Sequence, residues 1–403
     1  MSTLGKQASV PEQVQAFHNE LRSIRQDLHA HPELGMEETR TSALVADKLR
    51  GWGLDVTEGI GKTGVVATTR GKQPGHQRAI GLRADMDALP IREETGLPYA
   101  SRNQGKMHAC GHDGHTTMLL GAGRFLVEHP DFTGTVHLIF QPAEEGLGGA
   151  SAMLQDGLFE RFPCDAVYGM HTGPGLPAGK FATRPGPLMA GVGRFEVKFL
   201  GAGGHSGLSA IATTDLTIVQ ANFILGLQTI VEGGLGSKEP AMIRVGSIFG
   251  GQREAPAVMP TELYVGGTLR TFTPEVQSFM EHRIDELAHS SAKKQGATAE
   301  VNIRWSSPPL INPGEQTAIA VRAAQVVVGI ENVITEGKPI TAGEDFAFLL
   351  KARPGAFVFL GNGVAEDGSF HNIHTPYYNF NDEVIPTGVA YWVSLVHEEL
   401  GVD

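Results

Sequence analysis

The sequence predicts an α/β protein: a large domain with a mixed, largely parallel sheet flanked by helices, interrupted by an inserted, smaller α+β domain. Three observations predict it. Short apolar runs alternate with helical stripes along the first part, the texture changes after the Pro/Gly-rich passage RPGPLMAGVG at 184–193, and the first texture returns after SSPPLINPG at 306–314. At 403 residues the chain is longer than one typical domain, which accommodates such an insertion.

Val14, Phe17, Leu21, Ile24 and Leu28, spaced by three and four, predict an amphipathic helix over 11–30 that stops at Pro32. A second helix is expected over about 39–49, ended by the GWG at 51–53. The apolar runs GVVATT at 64–69, AIGLRA at 79–84, TVHLIF at 135–140 and DAVYGM at 165–170 read as strands, with a helix over 116–127 between them. Beyond 193, RFEVKFLG alternates as a half-buried strand. A helix over about 214–231, strands at 241–250 and 261–272, a helix near 275–295 and the strand TAEVNIRW at 298–305 complete the insert. A helix near 316–328, the strand AFVFLG at 356–361 and a terminal helix return to the first domain. The expected boundaries are 1–186 and 307–403 for the large domain and 187–306 for the insert.

Composition narrows the function classes. The chain is 41% hydrophobic and 19% charged, an ordinary globular balance, and no apolar run approaches the roughly 20 residues of a bilayer helix. The opening MSTLGKQASV lacks the apolar core of a signal peptide, so a cytoplasmic location is expected and no membrane partner. A net charge of -12 argues against nucleic acid as a partner. Two cysteines, Cys110 and Cys164, are too few for a disulfide scaffold, whereas 16 histidines, several beside Cys, Asp or Glu, suit ligation and proton transfer.

Polar groups collect where predicted strands end: Asp85 and Asp87 after 79–84, Gln141, Glu144 and Glu145 after 135–140, and His171 after 165–170. In open α/β sheets that carboxyl edge is where ligands bind. The densest motif, MHACGHDGH at 107–115, places His108, Cys110, His112, Asp113 and His115 in nine residues just before a helix. Thiolate, imidazole and carboxylate together suit a borderline divalent metal, and Cys110 and His112 on a glycine-bent turn can reach one ion. Adjacent Glu144 and Glu145 point in different directions, so one can bind metal while the other, facing substrate, acts as general base. The following Gly146–Gly149 stretch allows close approach. His374 in SFHNIHTPYYNF is a candidate to complete the metal site, and His205 in GAGGHSG a candidate oxyanion donor from the inserted domain.

These residues, with HPELGMEE at 31–38, GLRADMDALPI at 81–91, FQPAEEG, GMHTGP, AGEDFAF and IHTPYYNFNDE, resemble the M20 metallopeptidases over nearly the whole chain. The nearest likeness is to the branch of aminoacylases, hippurate hydrolases and auxin-conjugate amidohydrolases. The resemblance implies a catalytic domain with two divalent metal ions per subunit (Zn, Mn, Co or Ni) and a lid domain through which such proteins form a homodimer or a dimer of dimers. Carried over by position, it makes Cys110, His112, Glu145, His171 and His374 the metal ligands, Glu144 the general base and His205 the histidine offered from the lid. Asp87 matches an acidic residue that orients a ligand, and Asp85 stands where other branches carry a ligand histidine.

The implied activity is hydrolysis of the amide of a small N-acyl or N-aroyl amino acid by a metal-activated water, with Glu144 as base. Two positions depart from the family pattern: Ser209-Ala210 replace a Pro-His, and Ala257 replaces the Asn of an Asn-Val-Ile-Pro loop. Losing polar side chains there bears on recognition of the substrate carboxylate. The alternatives are a hydrolytic deaminase or deacylase of an aromatic amine, and a catalytically silent metal-binding homologue.

Overall fold

A computed structural model describes residues 12–75, 77–207, 214–231, 240–365 and 367–401. Ser209 and Ala210 lie outside the described residues. The described chain divides into two compact units. One comprises residues up to Gly186 with Asn312–Lys338 and the part from Asp345 on; the other comprises Pro187–Ile311 with Pro339–Glu344. The return of 339–344 to the second unit was not expected from sequence. Its backbone holds it there: Ile340 N–H donates to Leu188 O at 2.8 Å, and Ala190 N–H lies 3.0 Å from both Ile340 O and Ala342 O.

The first unit is built on an eight-stranded sheet: β1 (Asp55–Ile60), β2 (Gly64–Arg70), β3 (Ala79–Asp85), β4 (Thr135–Gln141), β5 (Ala166–Gly173), β6 (Phe181–Ala182), β7 (Val333–Ile334) and β8 (Gly355–Gly361). The spatial order is β1-β2-β4-β3-β5-β8-β6-β7. The four central strands β4, β3, β5 and β8 are mutually parallel, so their carboxyl ends share one edge. Antiparallel pairs flank them at β1/β2, β2/β4 and β8/β6.

Side-chain alternation divides the sheet into two faces. Ile80, Leu82 and Ala84 of β3, Val136, Leu138 and Phe140 of β4, and Ala166, Tyr168 and Met170 of β5 enter the main core. Helices α1 (His18–Ala30), α2 (Thr39–Gly51), α3 (His112–Glu128), α4 (Gly314–Val328) and α5 (Ile385–Leu400) add to that core through residues such as Leu21, Leu49, Leu119, Ile319 and Trp392. The opposite parity carries Arg83, Asp85, Gln141 and His171, all buried. Polar groups at the carboxyl edge therefore project from one face because the period of a strand is two. No helix among the described residues is long and apolar enough to cross a membrane.

Two local expectations change. The helix expected from Thr116 begins at His112, so His112, Asp113 and His115 are helical rather than loop residues. Its first turn is buried yet polar, and no apolar periodicity announces it. His171 lies inside β5, which runs on to Gly173, rather than after it.

The second unit has a four-stranded antiparallel sheet, in the order 242–250, 262–271, 191–200, 298–307, with helices Leu216–Thr229 and Pro274–Lys293. Asp215 caps the first helix by accepting from Thr217 and Ile218 N–H, and Thr273 caps the second by accepting from Val276 N–H. Phe195, Val197, Phe199, Phe223, Val265 and Ile284 form its own core.

Candidate metal centre

Two sharp turns bring the site residues to the carboxyl edge. Gly111, at φ 89°, turns the motif so that Cys110 and His112 face the same region, and a Cβ there would stand 2.7 Å from the Tyr378 hydroxyl. After β4, Ala143 adopts φ 53°, a left-handed conformation that an L residue keeps only when its surroundings hold it. Its N–H donates to Glu38 Oε1 at 2.8 Å, and its carbonyl accepts from Gly149 N–H at 3.0 Å. Gly149 is required sterically, since a Cβ would stand 1.6 Å from Pro142 O. Glu38, fully buried and bonded at 2.6 Å by the Thr63 hydroxyl, thus anchors the Glu144–Glu145 loop. It lies in HPELGMEE, but only the fold reveals what it holds.

The five expected ligands come together in overlapping groups. One ligand atom from each of Cys110, Glu145 and His374 lies within 4.8 Å of the others, and the same holds for His112, Glu144 and Glu145. His171 Nε2 is 3.4 Å from Cys110 Sγ, and His374 Nε2 is 3.0 Å from Glu145 Oε1. A third group within 4.8 Å, wholly buried, joins Asp85, His112, His115 and His171. His374 sits at φ 62° and is held by its N–H donating to Ala109 O at 2.7 Å.

Hydrogen bonds fix which ring nitrogens point inward. Asp87 Oδ1 accepts from His112 Nδ1 at 3.1 Å while Asp87 Oδ2 accepts from Glu145 N–H at 3.0 Å, so one carboxylate orients two neighbours. Thr172 O accepts from His171 Nδ1 at 2.7 Å. Both rings therefore present Nε2, the arrangement of a metal-ligating histidine whose other nitrogen is committed to an oxygen acceptor. His112 Nε2 is buried without a hydrogen-bond partner, Asp85 Oδ2 lying 3.8 Å away. Buried polar atoms are rarely left so.

The electrostatics favour a cation there. Burial opposes charge on His112, but the Asp85 carboxylate and the hydrogen bond to Asp87 outweigh it and raise its pKa to about 10. Burial and then the Glu145, Glu144 and Asp85 carboxylates push the Cys110 thiol well up. Burial, reinforced by His115, holds His171 well below the usual histidine range, so its ring stays neutral. A region that draws a proton onto one imidazole and suppresses a thiolate lacks positive charge, and a bound divalent cation would reverse both tendencies. The donor set of S, N and O atoms fits such an ion.

Glu144 has a contact of its own: Asp345 N–H lies 3.4 Å from Glu144 Oε1. Asp345 in turn accepts from Arg83, from Gln141 Nε2 at 2.8 Å and from Ala150 N–H at 2.9 Å. This buried support was not read from sequence, because it joins three segments far apart in the chain.

In the second unit, the strand pair Gly204–His205 and Val258–Met259 carries His205 opposite Val258. Gly207 N–H donates to His205 Nδ1 at 3.1 Å, so Nδ1 accepts and Nε2 is the nitrogen that carries hydrogen on this exposed residue. Ala257 contributes only its backbone, accepting from Ser206 N–H at 3.0 Å.

Comparison with known proteins agrees with these features. A profile described as Peptidase family M20/M25/M40 matches residues 81–398. Hippurate hydrolase of Campylobacter jejuni is 36% identical over 386 residues, spanning 96% of this chain and 98% of the relative. N-acetyl-L-cysteine deacetylase of Bacillus subtilis is 38% identical over 383 residues, spanning 94% and 88%. The crystal structure of a dinuclear metal-binding peptidase of the same family from Bacillus subtilis aligns with a TM-score of 0.82 at 32% identity, covering 95% of this chain and 98% of that one.

Proposed function

The chain belongs to peptidase family M20/M25/M40, and from that premise we propose that it hydrolyses the amide of small N-acyl or N-aroyl amino acids with two divalent metal ions per subunit. The observation that carries this reading is the buried His112 Nε2, without a hydrogen-bond partner, among thiol, imidazole and carboxylate groups whose ligand atoms converge within 4.8 Å. Cys110, His112, Glu145, His171 and His374 hold the ions. Their mixed S, N and O character suits Zn, Mn, Co or Ni. When bound, such ions supply the positive charge that acidifies water and polarises the scissile carbonyl.

Glu144, held by the Asp345 N–H, takes the proton from the attacking water and later delivers it to the amide nitrogen as the C–N bond breaks, leaving a carboxylate and an amine. His205, with Nε2–H outward, donates to the oxyanion that develops on the carbonyl. The relatives named for benzoyl and acetyl substrates support this substrate class.

The second unit is the lid and the place of self-association as a homodimer. Its outer strand Met242–Gly250 exposes Ile248 and Phe249, and helix Leu216–Thr229 exposes Ile218 and Leu225. A cytoplasmic location fits the absence of a membrane-crossing helix among the described residues.

Glu144→Gln tests the base. Turnover of N-acetyl and N-benzoyl amino acids should fall about 100- to 10,000-fold while metal content and thermal stability stay at wild-type values. Near-normal turnover in this variant contradicts the role of Glu144.

A further inference from the structure

We propose that Asp85 and His115 are not metal ligands but positioning residues, a relay that holds Thr172 and through it aims His171 Nε2 at the metal centre. The relay rests on the reading of His171 as a ligand. The wholly buried group Asp85, His112, His115 and His171 has the residue types of a metal site, yet its members differ in what their lone pairs do.

His115 Nδ1 lies 2.6 Å from Asp85 Oδ1, so the proton is on Nδ1 and the carboxylate accepts it. His115 Nε2 accepts from Thr172 N–H at 2.8 Å. Both nitrogens of this ring are therefore committed within the protein. Asp85 is equally engaged: Oδ2 accepts from Arg83 Nη1 at 2.8 Å and its backbone carbonyl from the Thr116 hydroxyl at 2.8 Å. His112 stands in contrast, with Nδ1 on Asp87 and Nε2 without a hydrogen-bond partner.

The consequence falls on His171. Thr172 is held at its N–H by His115 and offers its carbonyl to His171 Nδ1 at 2.7 Å. The two rings pack with centroids 4.4 Å apart. Fixing Thr172 thus fixes the tautomer and tilt of His171, leaving Nε2 as the bare acceptor 3.4 Å from Cys110 Sγ. Buried Arg83 completes the line by orienting Asp85. Carboxylate–histidine pairs usually leave the outer nitrogen for metal; here a backbone N–H takes that place.

The test is long-range ¹H–¹⁵N spectroscopy of ¹⁵N-histidine-labelled protein, metal-free and loaded with ¹¹³Cd. Couplings to cadmium are expected at Nε2 of His112, His171 and His374, while His115 keeps its Nδ1–H tautomer in both states. A cadmium coupling at His115 overturns the relay and leaves the ligand assignments standing. With cadmium bound, its absence from His112, His171 and His374 overturns those assignments instead, and the relay with them.

His115→Gln should bind as many cadmium ions as the wild type with one of them about 10- to 100-fold weaker, and His171 should become a mixture of tautomers. Loss of a whole cadmium equivalent at saturation, or an unchanged affinity and tautomer, contradicts the relay. The wild-type spectrum decides the case without the variant.

Discussion

The nonapeptide Met107–His115 feeds two buried polar clusters that end in opposite states. On one side, Asp113 accepts from His29 Nδ1 at 2.8 Å and from Gly114 N–H at 2.9 Å, with Arg25 Nη1 at 3.4 Å. Arg25 also donates to Asp382 at 2.6 and 2.9 Å, and His29 Nε2 to Glu93 at 3.3 Å. On the other side, one residue earlier in the chain, His112 keeps its buried Nε2 without a hydrogen-bond partner. A satisfied charge cluster is a structural staple, while an unsatisfied one marks where a ligand completes the fold. His108 belongs to neither: both its nitrogens are unpaired, and burial lowers its pKa to about 4 so that it stays neutral.

The largest expected effect on stability comes from breaking the staple. Asp113→Ala leaves the Arg25 guanidinium and the His29 ring buried beside a lost carboxylate, and unfolding free energy should drop by about 3–5 kcal/mol, measured by denaturant titration of the metal-free protein. Cys110→Ala on the other side should cost the metal-free protein about 1 kcal/mol or less yet lower its metal content. Equal destabilisation by the two variants would remove the distinction between the clusters.

A smaller effect sharpens the same contrast through pH. Burial disfavours charge on His29, but hydrogen bonds to Asp113 and Glu93 outweigh it and raise its pKa to about 9, above the unfolded value of 6.5. The protonated ring therefore binds its proton more tightly in the folded state. Its contribution is fully present below about pH 6.5 and is lost as pH rises through about 9, on the order of 3 kcal/mol over that window. The difference in melting temperature between wild type and His29→Gln should shrink from pH 6.5 to 9.5. A constant difference would show that His29 is neutral in the folded protein.

The same two clusters show what the sequence made legible. The candidate residues were readable because strand ends and the dense motif place them next to one another along the chain or at one sheet edge: Asp85, Glu144, Glu145 and His171 follow from strand patterns alone. The staple was not, since Arg25 and Asp382 lie 357 positions apart and meet only in the fold. Helix α3 was placed four residues late because His112, Asp113, His115 and Thr116 are buried by polar contacts, not by the apolar periodicity that marks a helix. Strand β1 was missed because its exposed, charged residues at an outer position of the sheet carry no apolar run. Glu38 and Asp345 act on partners remote in the chain, and Arg83 of β3 joins nearby Asp85 to distant Gln141 and Asp345, so no spacing rule reveals the whole set.

Anomalous diffraction from crystals of the metal-loaded protein tests the central claim most directly. Two peaks are expected, within bonding distance of Cys110 Sγ, His112 Nε2, Glu145, His171 Nε2 and His374 Nε2, with the Glu144 carboxylate beside them. Peaks seated on Asp85 and His115, or metal bound elsewhere with those five side chains bare, would contradict it.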